Sequence, residues 1–210
     1  MKENPIINSF EIKKTALILQ KGGVAVFPTD TLYAIGANIN HIKAIKRIFK
    51  IKNRPKNLGL PILIESINQL TEVGTNISKL AFRLAKIFWP GPLTLIVPKN
   101  NQISSLITGG ATTTAVRIPN NKDCLSIIKK TGAPITGTSA NPTGEKDVID
   151  PDIIHNWFDS KVDYIFDKKP SSSKGIDSTI LDVTKEKAIL LREGDLKKDF
   201  IEKNAGITIS

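Results

Sequence analysis

Several short segments set cations or hydroxyls at the ends of apolar runs. Lys52-Asn53-Arg54-Pro55 closes a helix-like pattern with two cations and a proline. Thr112-Thr113-Thr114-Ala115-Val116-Arg117-Ile118-Pro119 carries an arginine inside a β-like run. Thr136-Gly137-Thr138-Ser139-Ala140-Asn141-Pro142 follows a strand with small hydroxyl residues, and Ile189-Leu190-Leu191-Arg192 ends a strand in another arginine. The stretch Phe27 to Ala37 breaks a buried strand at Pro28 into two threonines, a carboxylate and a tyrosine. Guanidinium forks match carboxylates and phosphates, and small-residue loops present N–H and O–H groups to phosphate oxygens. An arginine between Val116 and Ile118 needs an anionic partner, either an internal carboxylate or a ligand. Each segment alone has a plain structural explanation: a helix end neutralising its dipole, or a turn. Together they fit a pocket for anionic small molecules better than a flat RNA surface.

Other chemistries lack their residues. There is no P-loop pattern, no G-x-G-x-x-G after a strand and no G-x-S-x-G elbow. Ser173-Lys174-Gly175 lacks the flanks of a nucleotide-binding lysine loop. His41 and His155 stand apart, with no Cys/His/carboxylate set at metal spacing, so no metal site is expected. Cys124 opens an apolar helix face and reads as a packed thiol. One cysteine cannot form an internal disulfide, and no apolar run approaches the ~20 residues that span a bilayer. A cytoplasmic protein with no membrane partner is the expectation. The net charge of +10 attracts anions such as nucleotides, RNA or phosphates, but its lysines lie in scattered pairs rather than one block.

The elements that must position these residues alternate between strand and helix. Helices are expected from Asn8 or Ser9 to Gln20 and over 41–51, 78–88, 124–130 and 151–158. Strands are expected over 24–27, 60–64, 93–97, 114–118, 134–138, 162–166, 179–183 and 188–191. The alternation argues α/β, and the closely spaced late strands argue for antiparallel pairs in a mixed sheet. The segment Pro170–Gly175 has the most flexible composition, and the loop Ser171–Gly175 could close over a substrate. No repeat or linker divides the 210 residues, so a single domain over 1–210 is expected.

The motifs Pro28-Thr-Asp-Thr-Leu-Tyr33, Lys52-x-Arg54-Pro55, Trp89-Pro-Gly-Pro-Leu-Thr94, Ala115-Val-Arg117, Ser139-Ala-Asn141, Ser178-Thr179 and Leu191-Arg192-x-Gly194 resemble, in order, the YrdC/TsaC family of threonylcarbamoyl-AMP synthases. The likeness runs from about residue 10 to 196. It implies an α/β fold with a YrdC-like twisted mixed parallel and antiparallel sheet, flanking helices and a large basic concave cavity. It looks like the family's short form, without the extra C-terminal domain. It implies formation of L-threonylcarbamoyladenylate and pyrophosphate from L-threonine, bicarbonate and ATP, with magnesium carried on the phosphates. The product would feed threonylcarbamoyladenosine (t6A) modification of tRNA through downstream transferase proteins. By the family pattern, Thr31, Tyr33, Arg117 and Ser178 would bind L-threonine. Arg54, Thr113, Ser139 and Arg192 would hold ATP, with Lys52 and Asn141 near the phosphates. Lys52 and Arg54 would be the catalytic cations. Two departures stand out: Ala34 where the family usually has glycine, and Leu58 where a polar residue is common. Alanine at a position needing φ > 0 would cost ~1 kcal/mol. The alternative reading is a protein that binds tRNA or double-stranded RNA, or acts in ribosome maturation, whose binding would collapse with salt.

Overall fold

The computed structural model describes residues 5–166 and 175–210, with side chains from residue 8 onward. The Ser171–Ser173 and Lys174 part of the loop singled out above therefore lies outside the described residues.

The first helix, α1 (Pro5–Gln20), buries Ile12, Ala16 and Leu19 and ends where Gly22 takes φ +83°. It packs along α5 (Lys122–Thr131). There Asn121 Oδ1 accepts the Cys124 N–H at 2.9 Å, and Gly132, at φ +74°, stops the helix. These are an N-cap and a left-handed C-cap. Between them runs β1 (Ala25–Pro28), and the three elements enclose a core of Leu19, Phe27, Cys124, Ile127 and Phe166. Cys124 is fully buried there, and burial pushes its thiol far above the ordinary cysteine range. It packs and does not react.

β1 turns at Thr29 and returns antiparallel as β2 (Tyr33–Gly36), with Phe27 opposite Ala34. The sequence pattern, which breaks at Pro28, carries no expectation of β2. The reason is that the hydroxyl run between the strands hides a hairpin with an irregular turn. Next come α2 (Ile42–Lys52), β3 (Ile62–Leu63), a 3-10 turn (Ile67–Gln69) and the short α3 (Leu70–Val73). In α4 (Lys79–Phe88), Ser78 Oγ accepts the Ala81 N–H at 3.1 Å, and Trp89-Pro90-Gly91-Pro92 ends the helix. The remainder is β4 (Leu93–Pro98), β5 (Thr113–Arg117), β6 (Ile135–Thr136), β7 (Thr138–Ser139), α6 (Pro151–Phe158), β8 (Tyr164–Ile165), β9 (Thr179–Asp182), β10 (Ile189–Arg192) and α7 (Lys198–Ala205).

Where one mixed sheet was expected there are two. One runs β7-β2-β1-β8 and the other β10-β9-β4-β5-β3-β6. Parallel pairs (β1/β8, β3/β5, β4/β9) mix with antiparallel ones in both. The segment read as one strand over 134–138 is two short strands, one in each sheet, hinged at Gly137. A Cβ at Gly137 would lie 2.4 Å from Leu63 Cδ1, so glycine lets the sheets meet. Gly36 makes the other close approach: its Cβ would sit 2.0 Å from the Thr136 carbonyl oxygen. Gly36→Ala is expected to destabilise the protein by roughly 3 kcal/mol through overpacking against backbone, as read by urea denaturation. Among the described residues, no helix is long and apolar enough to cross a membrane.

Candidate active site

The turn between β1 and β2 is fixed by one hydroxyl. Thr29 Oγ1 accepts the N–H groups of Thr31 (3.2 Å) and Leu32 (3.1 Å) and donates to the Leu32 carbonyl at 2.6 Å. This holds Asp30 and Thr31 toward the end of β5, where Arg117 arrives. Arg117 Nε donates to the Gly91 carbonyl at 3.0 Å, Nη1 to Thr31 Oγ1 at 3.0 Å, and Nη2 to Asp30 Oδ1. A guanidinium has five N–H donors. Three are used by described residues, and one remains on each terminal nitrogen. Of the two partners the sequence left open for Arg117, an internal carboxylate is therefore in place. It is the carboxylate of the hydroxyl turn itself.

Arg192 is seated in the same manner. Its Nη1 lies 2.5 Å from Asp177 Oδ2, and its Nε and Nη2 donate to the Ser178 carbonyl at 3.1 and 2.9 Å. Ser178 Oγ shares a 2.8 Å hydrogen bond with Thr94 Oγ1 across the β4/β9 pair. Arg54 follows the C-terminus of α2. Its Nε donates to the Leu58 carbonyl at 3.0 Å and its Nη2 to the Gly59 carbonyl at 2.8 Å. Burial lowers its pKa from the ordinary arginine value. Nη1 keeps both donors unengaged among the described residues.

These side chains converge on a cavity of about 370 Å³. Of the ten residues singled out above, eight line it: Thr31, Tyr33, Arg54, Thr113, Arg117, Ser139, Ser178 and Arg192. Lys52 and Asn141 do not. They line an adjoining pocket of about 350 Å³ that shares Arg54, Ser139 and Asp177 with the first. Thr94, inside a quoted motif, and Asp177, beside another, also line the cavity but were given no role. Asp30 stands behind Arg117. The signal for it was available: a strand arginine that needs an anion, and one carboxylate in the neighbouring motif.

Lys52 is almost fully buried, at 2% exposed. Its ammonium donates to the carbonyls of Ser139 and Asn141 and, at 3.0 Å, to Asn141 Oδ1. All three donors are thereby spent on the segment after β7. Ser139 Oγ also donates to Asn141 Oδ1, at 2.9 Å, and the Thr143 N–H donates back to the Lys52 carbonyl at 3.0 Å. Lys52 thus ties the end of α2 to the 139–143 loop. Burial, and after it the nearby Arg54 guanidinium, pull its pKa down to about 8. The folded value lies below the ordinary 10.5, so between pH 8 and 10.5 the unfolded chain binds more protons. Lys52 therefore makes stability rise with pH through that window. Relative to Lys52→Met, the wild-type Tm is expected to climb from pH 8 to 10.5, as read by thermal melts of both proteins in parallel. Across the rim pocket, burial and then Asp177 raise the pKa of Asp147.

The two departures resolve differently. Ala34 sits in β2 opposite Phe27 and Ser139, and among the described residues only Asn53 and Asn76 combine a side chain with positive φ. The expected backbone penalty at Ala34 is absent. Leu58 contributes its carbonyl to Arg54 while its side chain is 46% exposed.

The family model Sua5_yciO_yrdC, described as "Telomere recombination", matches residues 17–194. A threonylcarbamoyl-AMP synthase of Pyrococcus abyssi is 38% identical over 200 residues, which are 95% of this chain and 58% of that protein. The crystal structure of P. abyssi Sua5 complexed with L-threonine superposes with a TM-score of 0.89 at 38% identity, again over 95% of this chain and 58% of that one. This chain thus spans less than two thirds of those relatives. Escherichia coli YciO superposes with a TM-score of 0.79 at 27% identity, covering 88% of this chain and 89% of that one.

Proposed function

Since the chain belongs to the Sua5/YciO/YrdC family, we propose that its cavity makes L-threonylcarbamoyladenylate and pyrophosphate from L-threonine, bicarbonate and ATP. The observation that carries the reading is convergence. Eight of the ten residues assigned from the family motifs line one cavity, in a fold shared with a relative whose structure holds L-threonine.

In this reading the two remaining donors of Arg117 take the threonine carboxylate. Thr31, Tyr33 and Ser178 line the rest of that subsite. Arg54, Thr113, Ser139 and Arg192 hold the nucleotide, and Lys52 and Asn141 set the shape of the phosphate side. Magnesium enters as part of the nucleotide substrate, on its phosphates. The threonine amine bonds to the carbon of bicarbonate, and the proton it loses leaves with bicarbonate's hydroxide as water, giving a carbamate. A carbamate oxygen then attacks the α-phosphorus in line, and the bond to pyrophosphate breaks. The nucleophile is already an anion, so no protein base is needed. The protein's task is to align two anions that repel and to stabilise charge as pyrophosphate leaves. Arginines and backbone donors suit that task. The adenylate would then pass to proteins that transfer its threonylcarbamoyl group to tRNA.

The test is pyrophosphate release with ATP and bicarbonate, with and without L-threonine, and with L-serine as control. Release that depends on threonine and is weaker with serine is expected. Folded protein that releases pyrophosphate equally without an amino acid, or not at all, would contradict the reading.

A further inference from the structure

A cavity that takes an amino-acid carboxylate and a polyphosphate must sort two anions. Its three arginines could in principle serve either. They differ in what neutralises them. Arg54 donates only to carbonyls, so its charge is uncompensated by a contacting carboxylate among the described residues. Arg192 pairs with Asp177, but the pair is wet, with side chains 41% and 36% exposed. Arg117 pairs with Asp30 in nearly dry surroundings, at 7% and 9% exposed. Opposite charges cancel one another most completely where water does not screen them. The second carboxylate oxygen of Asp30, Oδ2, is buried with no hydrogen-bond partner among the described residues. No other donor among the described residues therefore shares the Asp30 charge, and it falls on Arg117.

The result is an arginine that keeps two N–H donors but shows little net charge. Such a group hydrogen-bonds a singly charged carboxylate well and gives a multiply charged phosphate little extra attraction. We propose that Asp30, acting through Arg117, keeps the polyphosphate out of the amino-acid subsite and so sorts the two substrates. Asp30 is a positioning residue: it holds and partly neutralises Arg117 without touching substrate. The inference rests on the proposed function, because it takes the Arg117 subsite as the amino-acid site. It also accounts for the carboxylate in the hydroxyl turn, which no ligand contact requires.

The test is calorimetric titration of L-threonine into the protein at rising sodium pyrophosphate, for wild type and Asp30→Asn. The amide retains an oxygen that can accept from Nη2, so the substitution removes charge and keeps the acceptor. In wild type the apparent Kd for threonine is expected to rise to a plateau, because both ligands can be bound at once. In Asp30→Asn it is expected to rise in proportion to pyrophosphate without a plateau, with pyrophosphate binding tightened by about tenfold. A merely structural role would weaken threonine binding but would not convert the plateau into open-ended competition. Open-ended competition in wild type overturns the inference, and so does a plateau in folded Asp30→Asn. Should that variant fail to fold by circular dichroism, Asp30→Ser, which also removes the charge and keeps an acceptor, takes its place with the same expected loss of the plateau. Wild-type protein that binds no threonine at all would overturn the proposed function, and this inference with it.

Discussion

Replacing Arg117 by alanine is expected to raise the KM for L-threonine by about a hundredfold or more, while the KM for ATP moves by less than about threefold. Two charge-assisted hydrogen bonds are lost, each worth ~1.5–3 kcal/mol. A second effect comes with the first. Asp30 is left buried, with its counter-charge gone and Oδ2 without a partner among the described residues. Breaking a buried pair from one side costs about 3–5 kcal/mol, so the single variant is also expected to melt earlier. The double variant Arg117→Ala/Asp30→Ala separates the two effects. It is expected to regain much of the stability and none of the threonine binding, since removing both charges leaves none stranded. Equal effects on threonine and ATP would refute the carboxylate role of Arg117. Stability unchanged in the single variant would refute the buried pair.

Arg54→Ala is expected to do the opposite: little to stability, much to the nucleotide. Arg54 contacts no carboxylate among the described residues and makes its two hydrogen bonds to carbonyls on the following turn. Its removal strands no charge. Arg54 lines the cavity, and in the proposed reaction its Nη1 donors go to phosphate; losing a preorganised donor of this kind costs about 10²–10³ in rate. The variant is expected to unfold in urea within about 1 kcal/mol of wild type and to lose adenylate formation by that factor. Full activity would remove Arg54 from the site. Lys52 differs from its neighbour in this respect. Its ammonium is already spent on the 139–141 segment, so its contribution runs through the loop it holds.

Much of this was legible in the sequence, for local reasons. Helix ends are written by single residues: Gly22 and Gly132 at C-termini, Ser78 as an N-cap, two prolines after Phe88. Apolar spacing marked α1, α2, α4 and α5 and most longer strands. Pairing information is less local. The strands β3, β6 and β8 lie inside the runs expected as strands over 60–64, 134–138 and 162–166, and β7 overlaps the end of the second, but all four are only two residues long, because neighbouring strands decide how far each run is paired. The division into two sheets hinges on Gly137, whose role depends on Leu63 from another strand. The candidate site residues could be named because motifs hold them in a fixed order along the chain. The need of Arg117 for an anion was legible, and Asp30 stood in a nearby motif; that these two pair was not fixed, because they meet only once β1 and β5 are in place. Lys52 read as a cation at a helix end. That it would be buried at 2% exposure depends on a loop some ninety residues later closing over it.

The central claim is that this cavity joins threonine, one carbon from bicarbonate and AMP into a single molecule. The most direct measurement is mass spectrometry of the reaction with ATP, L-threonine and ¹³C-labelled bicarbonate, quenched cold and read against unlabelled bicarbonate. A product containing threonine and AMP, shifted by the one labelled carbon and formed in step with pyrophosphate, is expected. ATP consumed without a labelled adenylate, or an adenylate that contains threonine but no label, would contradict it.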